Sequence, residues 1–373
     1  MSSAKSSYQG IDTPALLIDK DILEDNIRFM QSKAQALGIA LRPHTKTHKM
    51  PSIAKMQVAA GAAGIAVAKV GEAEAMAAAG LTDIFIANEI VGEQKLARIR
   101  KLGESIDISF GVDSVFAIRQ IDKVFAGARN KAHVLVEIET GELRSGVVTT
   151  EQFLDLLAAL HDSEQIEFRG VFSHEGFTYK AADKAECLRQ FVACQERTMS
   201  FAALAAQNGF PCLTVSVGAT PTAMLATHVK AGITELRPGT YVLMDVAQGN
   251  AIGTYDRCAA TVLTTIISKP TAERLIGDAG AKALTQQTRS AGICQTEGFG
   301  YIKGSAGVFV HAVYDEHTII YDKVLNRELE IGDKIEIIPN HICPVCNLYD
   351  EAYLVSGGAV IDTLSVDCRG KLR

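Results

Sequence analysis

The sequence predicts a (β/α)8 barrel followed by a second, β-rich domain. Between residues 19 and 241, short runs rich in apolar and β-branched residues alternate with longer helix-like runs, and the strand-like run occurs eight times. No Gly-x-Gly-x-x-Gly follows the first strand, which argues against a doubly wound open sheet. After residue 255 the helical period is lost, and strand-like runs separated by turns take over.

The elements of the predicted barrel follow one another regularly along the chain. The eight strands are expected at residues 39–43, 64–68, 83–87, 106–111, 133–138, 168–172, 213–217 and 233–236. Helix-like runs lie between them, among them residues 53–60, 70–79, 91–102, 151–160 and 182–207. A strand followed by a helix is the repeating unit of a parallel barrel.

The β-rich domain is expected to draw on both ends of the chain. Its predicted strands are residues 261–267, 308–313, 318–321, 334–338 and 352–355, and the opening run 13–18 is a further candidate. We therefore predict a barrel domain at residues 19–250 and a β-rich domain made of residues 1–18 and 251–373.

Composition narrows the class of protein. Of 373 residues, 47% are apolar and 21% charged, as is ordinary for a globular enzyme. The net charge of -6 gives no reason to expect nucleic acid or a membrane surface as a partner. Residues 1–7 lack the apolar core of a signal peptide, no apolar run could cross a bilayer, and eight cysteines follow no disulfide framework. We expect a cytoplasmic enzyme with reduced thiols and a small-molecule substrate.

Residues 42–49, RPHTKTHK, come where the first barrel strand would pass into its loop. Barrel enzymes place their chemistry at this end of the strands. Burial of Lys46 there would favour its neutral amine, because burial disfavours the ammonium form. A neutral amine is a nucleophile whose main catalytic use is to form a Schiff base with an aldehyde. Most lysines are simply solvated, so this motif needs support from the rest of the chain.

Small residues and hydroxyls follow the seventh and eighth strands, in residues 218–222 (GATPT) and 237–241 (RPGTY). Loops at these places in a barrel often hold a phosphate through backbone N–H groups that small side chains leave exposed. Thr220 would add an N–H and a hydroxyl at the start of a helix. Either loop alone is best explained as an ordinary turn. Both together, opposite a strand-one lysine, predict a site for pyridoxal 5'-phosphate.

Four motifs resemble the D-threonine aldolase and D-serine dehydratase family of pyridoxal-phosphate enzymes, which has the alanine-racemase type of fold. They are residues 42–49, 218–222, 236–241 and 278–284 (DAGAKAL). The resemblance runs from about residue 12 to residue 355, and the lysine motif is its most specific part. It implies that Lys46 is the Schiff-base lysine.

The resemblance also implies the other contacts of the cofactor. Tyr179, after the sixth strand, would lie near the pyridine nitrogen, and Arg144, after the fifth strand, near the ring. The residues expected around the phosphate and the adjoining part of the cofactor are Gly218, Ala219, Thr220, Gly239, Thr240 and Tyr241.

Residues 339–350, PNHICPVCNLYD, form a second constellation. On an extended segment His341 and Cys343 would face the same side, and an imidazole with a thiolate favours Zn²⁺. Two protein ligands leave coordination positions open, as a catalytic metal requires. Cys346 completes a C-x-x-C, but a redox role needs a helix N-terminus, which Pro344 and the β-rich context disfavour. We expect Cys346 to be buried and inert.

In the resembling family a His-x-Cys or His-x-Asp pair at this place binds a divalent metal. The Cys form resembles the D-serine dehydratase branch and the Asp form the aldolase branch, so we expect Zn²⁺, with Mn²⁺ or Mg²⁺ as alternatives. One departure concerns the substrate: where family members carry a Glu-His pair, this chain has residues 296–300, TEGFG. His174 and Glu175 are candidate acid–base groups, and we select His174 as the catalytic one; a structural hydrogen bond is the alternative role for a histidine there.

These features predict a metal-assisted ammonia-lyase that dehydrates a D-3-hydroxy amino acid such as D-serine or 3-hydroxy-D-aspartate. Lys46 would remove the α-proton, and the metal would act as a Lewis acid at the 3-hydroxyl. The alternatives are cleavage to glycine and an aldehyde, as by D-threonine aldolase, then racemisation, then a non-enzymatic carrier of the cofactor. A homodimer is expected from the resemblance, because related two-domain enzymes place the active site at a dimer interface.

Overall fold

The computed structural model describes residues 4–373 of the chain. Its strands are β1 Ala15–Asp19, β2 Ala40–Leu41, β3 Ile65–Val67, β4 Asp83–Glu89, β5 Asp107–Val112, β6 Ala132–Glu137, β7 Ile166–Phe172, β8 Thr214–Val217, β9 Glu235–Leu236, β10 Ala260–Ser268, β11 Arg274–Gly277, β12 Tyr301–Ile302, β13 Ala312–Val313, β14 Thr318–Tyr321, β15 Lys334–Ile338, β16 Glu351–Ser356 and β17 Ala359–Ser365. Its helices are α1 Lys20–Ala36, α2 Pro51–Ala59, α3 Val70–Ala78, α4 Glu93–Leu102, α5 Val115–Phe125, α6 Thr150–His161, α7 Lys184–Gln207, α8 Thr220–Leu225, α9 Val246–Ile252, α10 Ala281–Leu284, α11 Lys323–Glu328 and α12 Ile342–Cys346.

The chain divides into two compact units. The barrel unit contains Phe29–Lys46, Ile53–Gly239 and Gly370–Arg373, whereas the β-rich unit contains the described residues up to Arg28, Thr47–Ser52 and Thr240–Arg369. The predicted domains, 19–250 and 1–18 with 251–373, assign residues 19–28, 47–52, 240–250 and 370–373 differently. Residues 1–3 of that prediction lie outside the described part of the chain. Among residues 4–373, no helix combines the length and the hydropathy that crossing a membrane demands.

All eight strands of the barrel unit are parallel, in the order β2-β9-β8-β7-β6-β5-β4-β3. The circle closes between its first and last strands, because Ala63 N donates to Leu41 O at 2.9 Å and Ala66 N donates to Pro43 O at 2.8 Å. A parallel bridge between His44 and Ala66 continues this pairing. The predicted barrel is thereby confirmed, and each predicted barrel strand overlaps an observed one.

Apolar side chains fill the barrel and fix its helices around it. Inside, the rings of Phe85 and Phe172 meet edge to face with centroids 5.0 Å apart, which is a favoured geometry for aromatic pairs. Outside, α5 illustrates how helices are held: Ser114 caps its first turn by accepting from Ala117 N at 3.4 Å. Its buried residues recur on one face and are Ala117, Ile118, Ile121 and Phe125.

The β-rich unit is a nine-stranded sheet in which the opening strand of the chain is central. Strand β1 pairs antiparallel with β10 and parallel with β16, so the expected strand 13–18 does belong to this unit. The predicted strands 318–321 and 334–338 coincide with β14 and β15. The side chains packed on one face of β1 include Ile11, Ala15, Leu17, Leu263 and Val355.

In this unit one predicted strand needs correction and three strands were not predicted. The expected strand 308–313 is reduced to Ala312–Val313, because the preceding residues pair irregularly with the segment around Gly300, which has φ of 142°. The strands β11, β12 and β17 were not predicted. Strands β11 and β12 have only four and two residues, and the first five residues of β17 are exposed, so none shows a clear alternation of apolar side chains.

Candidate active site

Lys46 lies in a 3₁₀ turn, Thr45–Thr47, that follows β2 at the carboxyl end of the barrel strands. Its backbone N–H donates to Nδ1 of His44 at 3.4 Å. Thr45 anchors the turn, because its hydroxyl donates to Ala66 O at 3.1 Å. Lys46 itself is partly buried. The predicted lysine therefore lies where the first barrel strand ends, and its bond to a cofactor stays a prediction.

His44 is a buried, neutral imidazole next to Lys46. Burial, and then the positive charges of Lys46 and Arg237, hold its pKa well below the ordinary value of histidine. Because Nδ1 accepts the N–H of Lys46, the proton of the neutral ring lies on Nε2. The backbone N–H of His44 donates to Pro238 O at 3.0 Å, which holds the lysine motif against the loop that follows β9.

His174, the predicted acid–base residue, follows β7 and points its Nδ1 at Gly218 O, 3.3 Å away. A carbonyl oxygen can only accept, so Nδ1 carries the proton and Nε2 keeps a lone pair. Burial, then Lys46 and Arg144, hold the pKa of His174 well below its ordinary value. At neutral pH the ring can accept a proton at Nε2, as general-base chemistry requires.

The two predicted phosphate loops follow neighbouring strands, since β8 and β9 pair at Val217 and Leu236. At the start of the first loop Gly218 has φ of 136°, a conformation that only glycine adopts readily. A Cβ there would lie 2.6 Å from Arg237 N, so the close approach of the two loops also requires glycine. The structure thus brings together the small-residue loops that the sequence indicates.

Two N–H groups of the first loop are engaged within the protein. Gly218 N donates to Glu175 Oε2 at 3.1 Å, and Ala219 N donates to Thr222 Oγ1 at 3.2 Å. Because both N–H groups already donate within the protein, their hydrogen bonds do not favour the expectation that Gly218 and Ala219 hold the phosphate through them. Within the barrel unit the remaining predicted phosphate residues are Thr220, buried at the start of α8, and Gly239, which is partly exposed.

The other predicted cofactor residues lie on turns. Tyr179 is in the 3₁₀ helix Gly176–Lys180 after β7 and is partly exposed. Thr240 and Tyr241 belong to the β-rich unit, where both are buried in the 3₁₀ turn Thr240–Val242. Met244 N donates to Thr240 O at 2.7 Å and closes that turn. The roles of these three residues toward the cofactor stay predictions.

Arg144 contacts Glu137, one member of a pair of carboxyl groups that the sequence did not indicate. Its Nη2 donates to Glu137 Oε1 at 3.1 Å, and Ser145 Oγ donates to Glu137 Oε2 at 2.7 Å. Burial and the adjacent Glu137 raise the pKa of Glu89 to about 9, so Glu89 keeps its proton at neutral pH. Burial opposes ionisation of Glu137, but hydrogen bonds from Glu89 and Ser145 and the charge of Arg144 lower its pKa. The two glutamates lie on strands separated by β5, so no local motif announces the pair.

Arg237 is a second residue that the prediction did not select. It is 5% exposed, and its Nη2 donates to Ser173 O at 2.7 Å while Nη1 donates to the Ser216 hydroxyl. Its guanidinium carbon lies 5.2 Å from the ring centroid of Phe172 and 5.8 Å from that of Phe85. A charged residue at the end of an apolar strand was the available signal.

His341 and Cys343 lie in the β-rich unit, where His341 occupies the N-cap position of α12 without a capping side-chain bond and Cys343 is in the first turn. The prediction of an extended segment is wrong, because Ile342 N finds an acceptor in Asp245 Oδ2 at 3.1 Å and a helix begins there. Pro344 is tolerated in the first helical turn, where a missing N–H costs no helical hydrogen bond. The argument against a helix N-terminus at the C-x-x-C fails for the same reason.

The sulfur of Cys343 lies 3.3 Å from Thr47 Oγ1 and 3.6 Å from Thr240 Oγ1. Cys346 is fully buried, and burial raises the pKa of its thiol well above the ordinary value, as expected of an inert cysteine. Within residues 4–373 no three side chains of His, Cys, Asp or Glu gather into a metal cage. The imidazole and thiol of His341 and Cys343 are donors that suit a borderline metal such as zinc, with other positions left to water or substrate.

The sequence matches two protein-family models, one in each part of the chain. Residues 18–246 match the model of the alanine racemase N-terminal domain, and residues 259–355 match that of a serine dehydratase domain. The chain belongs to this family, and more closely to its D-threonine aldolase and D-serine dehydratase group. It is 34% identical over 369 residues to the D-threonine aldolase of Arthrobacter sp., covering 96% of this chain and 93% of that protein.

Two solved structures extend the likeness. D-threo-3-hydroxyaspartate dehydratase from Delftia sp. HT23 superposes with a TM-score of 0.88 at 30% identity, covering 97% of this chain and 99% of that one. A cysteine-to-alanine mutant of D-threo-3-hydroxyaspartate dehydratase in the metal-free form gives a TM-score of 0.87 at 30% identity over 96% of this chain and 98% of that one. The predicted family and the predicted class of enzyme, a lyase, are confirmed.

Proposed function

We propose that this protein is a pyridoxal-phosphate-dependent lyase that dehydrates a D-3-hydroxy amino acid of the D-serine or 3-hydroxy-D-aspartate type. The observation that carries the proposal is the position of Lys46, in a turn just beyond the first barrel strand and bonded through its backbone to a neutral His44. Relatives named D-threonine aldolase and D-threo-3-hydroxyaspartate dehydratase support this class of substrate.

The barrel unit fits an anionic cofactor. Burial is the main cause of the low pKa of His174, and the positive charges of Lys46, Arg144 and Arg237 lower it further, so three cations lie around this end of the barrel. Small residues border the same end in residues 218–222. Bound pyridoxal phosphate would supply an aldehyde carbon for the amine of Lys46 and a ring that withdraws electrons from the α-carbon of the substrate.

The chain's own residues would then carry the protons. The amine of Lys46 would take the α-proton, because a substrate amine that replaces it on the aldehyde leaves it free as a base beside the α-carbon. His174 offers the lone pair of Nε2 and can hold or return a proton at the substrate hydroxyl, while its Nδ1–H stays on Gly218 O. Loss of the α-proton and of the hydroxyl, together as water, leaves an enamine. The released enamine tautomerises to an imine, which takes up water to give a keto acid and ammonia.

We further propose that His341 and Cys343 hold a divalent metal, with Zn²⁺ favoured over Mn²⁺ and Mg²⁺. A thiolate and an imidazole are ligands that zinc prefers to these harder ions. The metal would supply a Lewis acid for a hydroxyl oxygen. A cysteine-to-alanine mutant of D-threo-3-hydroxyaspartate dehydratase solved in a metal-free form supports a role for metal in the family.

Retro-aldol cleavage is the second candidate, and the D-threonine aldolase of Arthrobacter sp. favours it. The products separate the reactions: dehydration of D-serine gives ammonia and a keto acid, whereas cleavage of D-threonine gives glycine and an aldehyde. Treatment with a chelator should abolish either activity, and a residual interconversion of D- and L-isomers would instead identify a racemase.

The lysine is tested by its spectrum. We expect Lys46→Ala to abolish the visible absorbance that the native protein gains with pyridoxal phosphate, because no amine then bonds the aldehyde. Lys55→Ala, at an exposed position of α2, is the matched control and should keep the absorbance. Borohydride reduction followed by peptide mapping should place the label on Lys46, and a label on another lysine would refute the assignment.

We also propose a homodimer located in the cytoplasm. The resemblance to two-domain enzymes with an active site at a dimer interface supports the first, and eight free cysteines support a reducing compartment. Light scattering should give about twice the chain mass of 39.9 kDa.

A further inference from the structure

We propose that Glu175 is a positioning residue that shapes the loop 218–222 to receive the phosphate group of the cofactor. The proposal rests on the proposed function, since it concerns how pyridoxal phosphate is held. It gives Glu175 a role different from the acid–base role that the sequence suggested.

Both carboxylate oxygens of Glu175 accept hydrogen bonds from the loop 218–222. Oε2 accepts from Gly218 N at 3.1 Å, and Oε1 accepts from the Thr222 hydroxyl at 2.6 Å. The same Thr222 oxygen accepts from Ala219 N at 3.2 Å. One carboxylate therefore fixes two successive N–H groups, the first directly and the second through a hydroxyl.

This arrangement orients the peptide that comes next. Because the N–H groups of residues 218 and 219 are both hydrogen-bonded, the two peptides that lead into α8 at Thr220 are fixed. Gly218, at φ of 136°, has a backbone that would otherwise sample many conformations. A loop ordered before binding holds a phosphate more tightly, because binding then need not restrict it.

Glu175 cannot itself reach a substrate. Its side chain is fully buried, and Cys194 Sγ lies 3.9 Å from Oε2. Its neighbour His174 bonds the carbonyl group of the same glycine, with Nδ1 3.3 Å from Gly218 O. Consecutive residues at the end of β7 thus hold both polar groups of Gly218, and the orientation of the catalytic imidazole is tied to the phosphate loop.

The proposal is tested by comparing pyridoxal phosphate with pyridoxal, which has the aldehyde but no phosphate. Affinity for each is measured by titrating visible absorbance in the native protein, Glu175→Gln, Glu175→Leu and Thr222→Val. The amide of Gln keeps an acceptor for Gly218 N, so this variant should prefer the phosphorylated form about as strongly as the native protein. Leu removes the acceptor, and its preference should fall at least about tenfold, or about 1.4 kcal/mol, with affinity for pyridoxal unchanged.

Thr222→Val keeps the experiment decisive if Glu175→Leu does not fold, because it removes only the hydroxyl that links Oε1 to Ala219 N. The preference of Thr222→Val for pyridoxal phosphate over pyridoxal should also fall. Glu336→Gln, which changes a carboxylate that accepts from the Thr261 hydroxyl at 2.9 Å in the β-rich unit, is the matched control and should bind both compounds as the native protein does.

Two results would overturn the proposal: native preference in both Glu175→Leu and Thr222→Val, or equal loss of affinity for both compounds in these variants. Failure of the proposed function gives a different result, because native protein would then gain no absorbance with either compound. A native protein that binds both compounds without preferring the phosphate would also overturn the role of the loop.

Discussion

Single side chains in this protein owe their chemistry to what surrounds them rather than to their type. His44 and His174 stay neutral because burial and nearby cations disfavour the imidazolium form. Glu89 stays protonated because burial and Glu137 disfavour a second negative charge. The sequence identifies which groups are present, but burial and partners on distant strands decide which of them ionise.

The proton on Glu89 predicts how stability depends on pH. Folding raises the pKa of this acid from 4.5 to about 9, so between these values the unfolded chain releases a proton that the folded chain keeps. Its contribution to stability therefore falls as pH rises. We expect Glu89→Gln, which can donate to Glu137 without a proton to lose, to be more stable than the native protein at pH 8 by about 1 kcal/mol or more.

The urea midpoint at pH 5 and pH 8 measures this effect. The advantage of Glu89→Gln should grow with pH, whereas Glu104→Gln, at an exposed position after α4, should follow the native protein at both values. A glutamine variant that is less stable than the native protein at pH 8 would show that Glu89 is ionised in the folded state.

At the scale of elements, one side chain joins two helices of the β-rich unit. Asp245 Oδ1 accepts from Gln248 N at 2.9 Å in α9, and Oδ2 accepts from Ile342 N at 3.1 Å in α12. The carboxylate therefore caps both helices and holds the turn that carries His341 and Cys343 in place.

We expect Asp245→Ala to lose about 1–2 kcal/mol of stability for each cap and to bind the proposed metal about tenfold more weakly. Urea unfolding and atomic emission of the dialysed protein measure the two effects. Asp322→Ala removes only the cap of α11, where Asp322 Oδ1 accepts from Leu325 N at 2.7 Å, and should lose stability but not metal. Equal metal content in both variants would mean that Asp245 does not position the ligands.

The elements that could be predicted are those with a complete local signal. Strands β14 and β15 were predicted to the residue because their apolar side chains are bounded by turns. The positions of the lysine turn after β2 and of the small-residue loops after β8 and β9 were predicted, because each motif is one short segment at the end of a strand. Three features were not predicted, because each depends on a partner far away in sequence. They are the Glu89–Glu137 pair, the hydrogen bonds of Glu175 to residues 218 and 222, and the helix that begins after His341.

At the scale of the whole barrel unit, an ion cluster just after β2 joins β9, its neighbour in the sheet, to β4, which lies across the closure between β2 and β3. Arg42 Nε donates to Glu235 Oε2 at 2.7 Å, and Nη1 donates to Asp83 Oδ1 at 2.6 Å. Glu235 is 4% exposed, so little of this side chain is in contact with water. The cluster joins segments that only the closed barrel brings together.

We expect Arg42→Met to destabilise the protein by about 3 kcal/mol, because it leaves the buried Glu235 without its cation. Arg28→Met, which removes exposed ion pairs from α1, should cost at most about 0.5 kcal/mol. Thermal unfolding of both variants gives the comparison. Similar losses in the two would mean that the buried cluster adds nothing specific to barrel closure.

The central place of β1 in its sheet has a consequence for synthesis on the ribosome. Strand β1 ends at Asp19, whereas its two neighbours begin at Ala260 and Glu351. Ribosomes add roughly 5–20 residues per second. Tens of seconds therefore pass between the synthesis of the apolar residues of β1, Leu16, Leu17 and Ile18, and the synthesis of β10 and β16, with which β1 pairs. A nascent chain of this design has to shield its first strand while more than half of the protein is still unmade.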